Sequence, residues 1–236
     1  MNDTIMKPNR LTARLGFWSA FLAAATFIIF IICFVAVFLN PPLFVWTNFA
    51  DYMIYARNNQ QVFKSIAQLS MLLFAPLYVV LINSIHELAS SEKKVATRLG
   101  LSFGLLFAVL VGGFYFVQLS AVRLSVIKEQ WDGLEQIVQA NPYGAMSALN
   151  MLGWTLFFGL SSLFVAPVFS GGKLANLVRW LFVINGVMCL LGGIGYALEI
   201  TTLVFFTINF GMGGAVTLLT IALCFCFKRM EKQVTL

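Results

Sequence analysis

Residues 98–122 read RLGLSFGLLFAVLVGGFYFVQLSAV, and this stretch indicates how the whole chain is built. A single arginine, Arg98, is followed by residues that are almost all apolar or small until Gln118 is reached. About 20 helical residues cross the hydrocarbon core of a bilayer, so the stretch predicts a transmembrane helix. Its opening Arg-Leu-Gly at 98–100 recurs at 14–16, where another long apolar run begins.

Six apolar runs of this kind occur along the chain. They lie at 15–39, 65–86, 99–122, 146–169, 179–198 and 203–227. The 236 residues are 60% hydrophobic and only 10% charged, whereas about a quarter of the residues in an average soluble protein are charged. The sequence therefore predicts an all-α integral membrane protein, with six transmembrane helices forming a single transmembrane domain over 1–236.

The basic residues are distributed unevenly among the predicted loops. If the N-terminus is inside, 11 of the 15 Lys and Arg residues lie in the inner loops and tails. The outer segments hold the remaining 4, which are Arg57, Lys64, Arg123 and Lys128. This positive-inside asymmetry predicts the plasma (inner) membrane with both termini cytoplasmic. It also explains the net charge of +6 without a nucleic-acid partner.

Two outer segments are amphipathic rather than apolar, which is typical of elements that lie in the membrane interface. Residues 43–64 alternate aromatic side chains with charged ones, and residues 123–145 do the same. Asn40-Pro41-Pro42 is expected to end the first helix before the first of these segments, because proline has no N–H to continue a helix.

Spaced similarities suggest an internal repeat. The triplet at 14–16 recurs 84 residues later, and Gly112-Gly113 is followed by Gly192-Gly193 80 residues later. Arg179 begins the apolar run at 179–198, just as Arg98 precedes the run at 99–122. We interpret the chain as three tandem helical hairpins that run in the same direction, with a pseudo-symmetry axis along the membrane normal.

Polar residues near the outer ends of the predicted helices form the candidate binding site. Tyr115 and Gln118 share a face of the third helix, and Tyr196 and Glu199 occupy matching positions on the fifth. The other members at comparable depth are Gln68, Asn150 and Asn209, and Arg123 ends the third helix. We expect one polar layer lining a mostly apolar, outward-facing pocket, with Arg123 able to pair with Glu199 or with an anionic ligand group.

A purely structural interpretation stays open for these residues. Side chains within about two turns of the interface can be satisfied by headgroups and water. Arg123 would then snorkel to the outer headgroups, and Gly-Gly pairs would serve close helix packing. Asn185, which lies deeper, is expected to hydrogen-bond a neighbouring helix.

Motifs of known enzymes and cofactor sites are not found in the sequence. The four cysteines lie inside predicted helices without metal-ligand spacing, and the single histidine, His86, has no partner at ligand spacing. No cofactor is predicted, and an enzyme is disfavoured. The remaining enzymatic alternative is an interfacial lipid-modifying activity that uses Glu199, Asp51 or His86.

The sequence favours a small multi-pass membrane protein that binds or transports a small amphipathic or apolar solute through an outward-facing cavity. The expected partners are membrane lipids and a small-molecule or lipid ligand. The alternative is a non-transporting subunit or assembly factor that packs on a larger complex through helix 1. Ala20, Ala23 and Ala24 form the small-residue patch that such a partner could approach.

In general layout the chain is similar to the substrate-binding subunits of energy-coupling-factor vitamin transporters. The similarity covers the six helices, the inward termini, the lid-like first outer segment and the Ala20, Ala23 and Ala24 patch. It includes no ligand-specific motif. What it implies is a solute-binding subunit that docks a membrane partner through that patch.

Overall fold

The computed structural model describes residues 10–39, 44–59 and 61–234. The predicted helix stop at Asn40-Pro41-Pro42 lies outside these residues. The described residues confirm the predicted all-α class, because they contain six helices that are long and apolar enough to cross a membrane and no β-strand.

The described residues form one short α-helix and six spanning helices. They are α1 (Arg10–Leu39), α2 (Phe49–Asn58), α3 (Val62–Leu88), α4 (Ser91–Ile127), α5 (Ala145–Val168), α6 (Lys173–Ala197) and α7 (Thr201–Gln233). Most of the spanning helices extend beyond the predicted apolar runs. For example, α4 begins at Ser91 rather than at 99, since helical hydrogen bonding continues through charged residues outside the hydrocarbon core.

The spanning helices pack in sequence around a closed ring. Each packs against the next along the chain, and α7 packs back against α1. Arg14 and Glu231 form an ion pair at 3.0 Å, so the two ends of the described chain lie at the same end of the bundle. We call this the termini end and the opposite one, which carries α2, the cap end. The tandem-hairpin repeat stays a prediction.

The small-residue face of α1 is a packing surface within the chain. Ala20 and Ala23 are fully buried and Ala24 is 7% exposed, and α1 packs against both α3 and α7. The patch is therefore used for packing within the chain, and its contact with a separate partner stays a prediction. Small side chains let helix backbones approach closely, and here the helices that approach belong to the same chain.

Five aromatic rings fill the middle of the bundle. They are Phe74 and Tyr78 from α3, Phe107 from α4, and Trp154 and Phe158 from α5. Their neighbouring ring centroids lie 4.6–6.3 Å apart in stacked and edge-to-face arrangements, the spacing of favourable aromatic pairs. The bundle interior at this level is therefore packed with side chains.

Several buried polar groups in the bundle are paired across helices. Asn185 Nδ2 donates to Ser162 Oγ at 2.7 Å, which confirms the predicted hydrogen bond between α6 and a neighbouring helix. The Tyr78 hydroxyl donates to Ser161 Oγ at 3.0 Å, and Ser161 donates to the Gly100 carbonyl at 2.7 Å. These bonds join α3, α4 and α5 where no water is at hand to replace them.

Three spanning helices contain π-helical segments in their cap-end halves. They are Gln118–Val122 in α4, Gly153–Phe157 in α5 and Phe205–Met212 in α7. A π turn carries an extra residue, so it changes which residues share a face beyond it. Helical spacing in the sequence does not reveal these segments.

Candidate functional site

The cap end is covered by α2 together with residues 128–144, which we call the cap. The start of α2 is fixed by its N-cap residue, because the Asn48 side chain accepts from the Asp51 backbone N–H at 2.9 Å. The Asp51 carboxylate in turn accepts from Thr47 and from the Asn48 amide. An acidic group in the first turn also suits the helix dipole, so this short helix has a defined beginning.

An apolar cluster holds the two parts of the cap together. Tyr52 and Met53 of α2 pack with Val122, Leu134 and Val138, all of them buried. An ion pair between Arg57 and Glu129 also joins the two parts, but these side chains are 48% and 60% exposed. An exposed pair contributes at most about 1 kcal/mol, so apolar burial is the main attachment.

Asn141 organises the return from the cap into α5. Its Nδ2 donates to the Glu135 carbonyl at 2.9 Å, and its Oδ1 accepts from the Tyr143 backbone N–H at 3.0 Å. Its own carbonyl accepts from the Ser147 hydroxyl at 2.6 Å. Asn141 is 3% exposed, and these bonds supply the partners that a buried loop backbone requires.

Three glutamines attach the cap to the bundle. Gln68 Nε2 on α3 donates to Gln139 Oε1 at 2.7 Å. Gln118 on α4 donates to the Ile137 carbonyl at 2.6 Å and accepts from the Gln139 backbone N–H at 2.9 Å. The structure thus brings two predicted site residues, Gln68 and Gln118, onto one short segment of the cap, and both are buried.

A first cavity of about 450 Å³ lies beside this attachment. Its walls come from α2, from the start of α3 and from the end of α4. The predicted site residues Gln68, Gln118 and Arg123 line it. Its apolar lining consists of Ala56, Val62, Ile66, Val122, Val126 and Ile127.

A second cavity of about 280 Å³ lies between α1, α3 and the cap. Phe30, Phe34 and Val37 of α1 form its apolar side, and the predicted site residues Gln68 and Tyr115 also line it. Burial raises the pKa of the Tyr55 hydroxyl, partly opposed by a hydrogen bond with Gln61. The Tyr55 side chain at this cavity is therefore neutral at physiological pH.

The two cavities share a wall of four residues. These are Tyr52, Gln61, Lys64 and Gln68. Lys64 Nζ donates to the Tyr52 hydroxyl at 3.0 Å and lies 5.2 Å from the centre of the Tyr52 ring. A cation on an aromatic wall, between two mostly apolar spaces, can contact a ligand in either one.

Two further predicted site residues form a second group deeper in the bundle. The Tyr115 hydroxyl faces the side chains of Asn150 and Trp154. Asn150 Oδ1 is buried and has no hydrogen-bond partner among the described residues. A buried amide oxygen of this kind is an acceptor for a small donor such as water.

The other predicted site residues lie outside both cavities or face their own helix. Arg123 lines the first cavity, and its Nε donates to the Leu119 carbonyl of its own helix at 3.0 Å. Tyr196 donates to the Pro142 carbonyl at 2.7 Å, and Asn209 donates to the Phe205 carbonyl one turn back. Glu199 is exposed, with a left-handed φ of 57°, and lines neither cavity.

Of the groups considered for a lipid-modifying enzyme, His86 lies at the opposite end of the bundle from Asp51 and Glu199. Asp51 lies in the first turn of α2 and bonds to the N-cap residue Asn48, and Glu199 is exposed in the turn after α6. His86 bonds to Thr97 Oγ1 at 2.7 Å near the end of α3. The helical rise places His86 about 33 Å from Lys64, which lies near the start of α3 beside the cavities. The described residues also contain no cluster of His, Cys, Asp and Glu that could hold a metal ion.

Sequence reasoning missed four residues of this site, namely Tyr52, Gln61, Lys64 and Gln139. The signal for Lys64 was present, because it precedes Gln68 by one helical turn and so shares its face. The charge pattern marks Lys64 only as one of the four outer basic residues. Gln139 carries no such signal, since its contact with α3 depends on how the cap folds back.

Comparisons with known proteins identify no relative. No family model, no curated protein and no solved structure matches the chain. Function must therefore be inferred from the residues themselves.

Proposed function

We propose that the chain is a small multi-pass membrane protein that binds a small amphipathic or apolar solute in the two cavities beneath the cap. The observation that carries this proposal is the wall shared by the two cavities, Tyr52, Gln61, Lys64 and Gln68. Ligand pockets are concave and mostly apolar with a few placed polar groups, and they measure about 300–1,000 Å³. The volume of the first cavity, about 450 Å³, falls in this range. The second cavity, of about 280 Å³, shares four lining residues with the first.

The proposal includes an orientation for the chain. The predominance of basic residues at the termini end supports cytoplasmic termini in the plasma membrane. The cap and its cavities would then face outward. The three-hairpin repeat would bring Tyr115 with Gln118 and Tyr196 with Glu199 to matching depth. Tyr115 lines the second cavity and Gln118 the first, whereas Tyr196 and Glu199 line neither.

Binding is better supported than transport. The aromatic rings of Phe74, Tyr78, Phe107, Trp154 and Phe158 occupy the middle of the bundle beyond the cavities. A transported solute would have to displace this packed layer, whereas a bound one would not. Transport therefore requires a second conformation, and binding requires only the one described.

The test is to identify what co-purifies with the protein and where it sits. Detergent-solubilised protein is extracted with organic solvent, and the extract is analysed by mass spectrometry for a compound present at about one per chain. Ala56→Leu adds bulk to the first cavity and Ala67→Leu to the second, whereas exposed Ala121 lines neither, so Ala121→Leu is the matched control. Loss of the compound in a blocked variant, but not in Ala121→Leu, supports the site.

Gel filtration and thermal unfolding keep the comparison valid, because a blocked variant must still fold. A compound that stays at full stoichiometry in both folded blocked variants would contradict binding in these cavities. Extracts that contain no stoichiometric compound at all, from any variant, would contradict the proposed function.

One observation favours a second candidate, a non-transporting subunit of a larger membrane complex. In α1, 22% of the most apolar stretch is buried, against 33% to 56% in the other five spanning helices. Its exposed side carries Trp18, Phe21 and Ile32. This face, and not the buried Ala20, Ala23 and Ala24 patch, would then meet a partner.

The second candidate predicts a stoichiometric protein partner for the tagged chain in nanodiscs. Trp18→Ser with Phe21→Ser should release that partner, whereas Leu105→Ser with Val109→Ser, which changes the exposed face of α4, should retain it. Equal retention by both double variants would remove α1 from the interface.

A further inference from the structure

The lining of the first cavity is cationic. Lys64 and Arg123 both line it, and none of its lining residues is acidic. The second cavity shares Lys64 and likewise has no acidic lining residue. A ligand in this space therefore meets positive charge without a built-in counter-ion.

The carboxylates that lie nearest in the sequence to the residues lining the first cavity make their contacts outside it. Glu129 pairs with Arg57. Asp51 accepts hydrogen bonds from Thr47 and Asn48 at the start of α2. Neither Asp51 nor Glu129 lines a cavity, so the cavity charges are not neutralised by ion pairs within the described residues.

Both cations keep donors for a ligand. Lys64 uses one of its three N–H donors on the Tyr52 hydroxyl. Arg123 uses Nε on the Leu119 carbonyl, and its terminal nitrogens make no hydrogen bond or ion pair with the described residues. A guanidinium fork and an ammonium group at one cavity suit the oxygens of a carboxylate or phosphate.

The apolar lining shows where the rest of such a ligand would lie. Val62 and Ile127, from the start of α3 and the end of α4, are 56% and 64% exposed, so the cavity is open to its surroundings beside these two helix ends. Ile66, Leu69 and Leu73 continue from this opening along α3 at intervals of three and four residues, and all three are exposed. They form an apolar stripe on one face of the helix.

From these features we infer that the ligand is an anionic amphipath with an acyl chain. Its carboxylate or phosphate binds at Lys64 and Arg123, and its chain lies along Ile66, Leu69 and Leu73 after entering sideways from the bilayer. The inference rests on the proposed function and names the ligand class for the same site. A fatty-acid anion and an anionic phospholipid share this chemistry.

The test compares two probes that differ only in the headgroup. Oleate and oleyl alcohol have the same chain, and the binding of each to purified protein in a neutral detergent is measured at equilibrium. Lys64→Gln and Arg123→Gln should each weaken oleate binding by about tenfold, the usual scale for a charge-assisted bond, and leave oleyl alcohol binding unchanged. Lys128→Gln removes an exposed charge at the same end but lines neither cavity, so it should bind oleate as the wild type does.

Two further variants make the result interpretable. Lys64→Arg keeps the charge and should retain oleate binding, which separates lost charge from lost folding. Ala56→Leu fills the cavity and should weaken both probes. If both probes bind equally, resist both charge removals and are lost only in Ala56→Leu, the anionic inference fails and the proposed function stands. If neither probe binds, or if Ala56→Leu changes the binding of neither probe, the anionic inference fails, and the proposed function is decided by the co-purified compound in the Ala56→Leu and Ala67→Leu variants.

The source of the headgroup is resolved by a separate measurement. Native mass spectrometry from nanodiscs of phosphatidylglycerol or phosphatidylcholine reports retained lipid. Retention of phosphatidylglycerol alone, lost in Arg123→Gln, assigns the site to an anionic phospholipid. Oleate binding without such retention assigns it to a free fatty-acid anion. Equal retention of both lipids in wild type and Arg123→Gln overturns a charge-selective site.

Discussion

Gln68 on α3 donates a hydrogen bond from its side-chain amide to the side chain of Gln139 in the cap, across 2.7 Å. The two residues are 71 positions apart in the chain. Gln68 also lines both cavities. One hydrogen bond therefore joins the wall of the site to the segment that covers it.

Gln68→Ala should loosen the cap without unfolding the bundle. It removes a single bond between neutral groups, worth about 0.5–1.5 kcal/mol. Hydrogen–deuterium exchange of peptides over 134–140 should rise, while exchange in α6 stays as it was. Asn209→Ala is the control, because within the part of the chain that the structure describes the Asn209 amide bonds only to its own helix. Unchanged exchange over 134–140 would show that this bond does not hold the cap.

Gln118→Leu should cost more than Gln68→Ala. It leaves the half-buried Ile137 carbonyl and Gln139 backbone N–H without the bonds that Gln118 provides, and an unpaired polar group costs about 1–3 kcal/mol when it is fully buried. Unfolding in a denaturing detergent should show the larger loss of stability for Gln118→Leu. The same change at exposed Gln130 should have little effect. Equal stability of the Gln118 and Gln130 variants would contradict the attachment.

Gly16→Ala should destabilise the contact between α1 and α7. An added Cβ would overlap the ring of Phe227, and overpacking of this kind costs about 1–3 kcal/mol. Phe227→Leu in the same chain should recover part of the loss. Gly113→Ala is the matched control, since nothing lies within 4 Å of its added Cβ. Thermal unfolding in detergent measures all three, and a neutral Gly16→Ala would contradict the close packing.

Glu199→Gly should stabilise the turn between α6 and α7. The residue adopts a φ of 57°, a left-handed conformation that costs a side-chain-bearing residue about 1–2 kcal/mol. Glycine's greater freedom in the unfolded chain offsets part of this gain, so we expect a net increase of about 0.5–1 kcal/mol. Glu199→Gln keeps the conformational strain and should leave the midpoint temperature of thermal unfolding in detergent unchanged. A lower midpoint for Glu199→Gly would show that the Glu199 side chain stabilises the turn by a contact.

The spanning helices could be predicted because their signal is local. An unbroken apolar run of sufficient length must be helical in a bilayer, where every backbone group needs an internal partner. The first and last residues of these helices were less predictable. Ser91 begins α4 eight residues before the predicted 99, since hydrophobicity marks the boundary of the hydrocarbon core and not the end of the helix.

The candidate site was predictable only in part. Gln68 and Gln118 were expected in one layer, and the structure brings them to the same segment of the cap. Tyr196 bonds instead to the Pro142 carbonyl. Lys64 was counted only as an outer basic residue, because its place between two cavities depends on α2 folding over the start of α3.

Six apolar runs in the sequence are enough to predict six helices, and the alanines of α1 are enough to predict one face suited to close packing. The folded structure adds that Ala20, Ala23 and Ala24 are buried in a helix that packs against α3 and α7 of the same chain. The sequence leaves the choice of neighbour open because the surrounding solvent is lipid. Lipid satisfies an apolar side chain as well as a neighbouring helix does, so the choice of neighbour depends on shape and interhelical bonds that composition does not record.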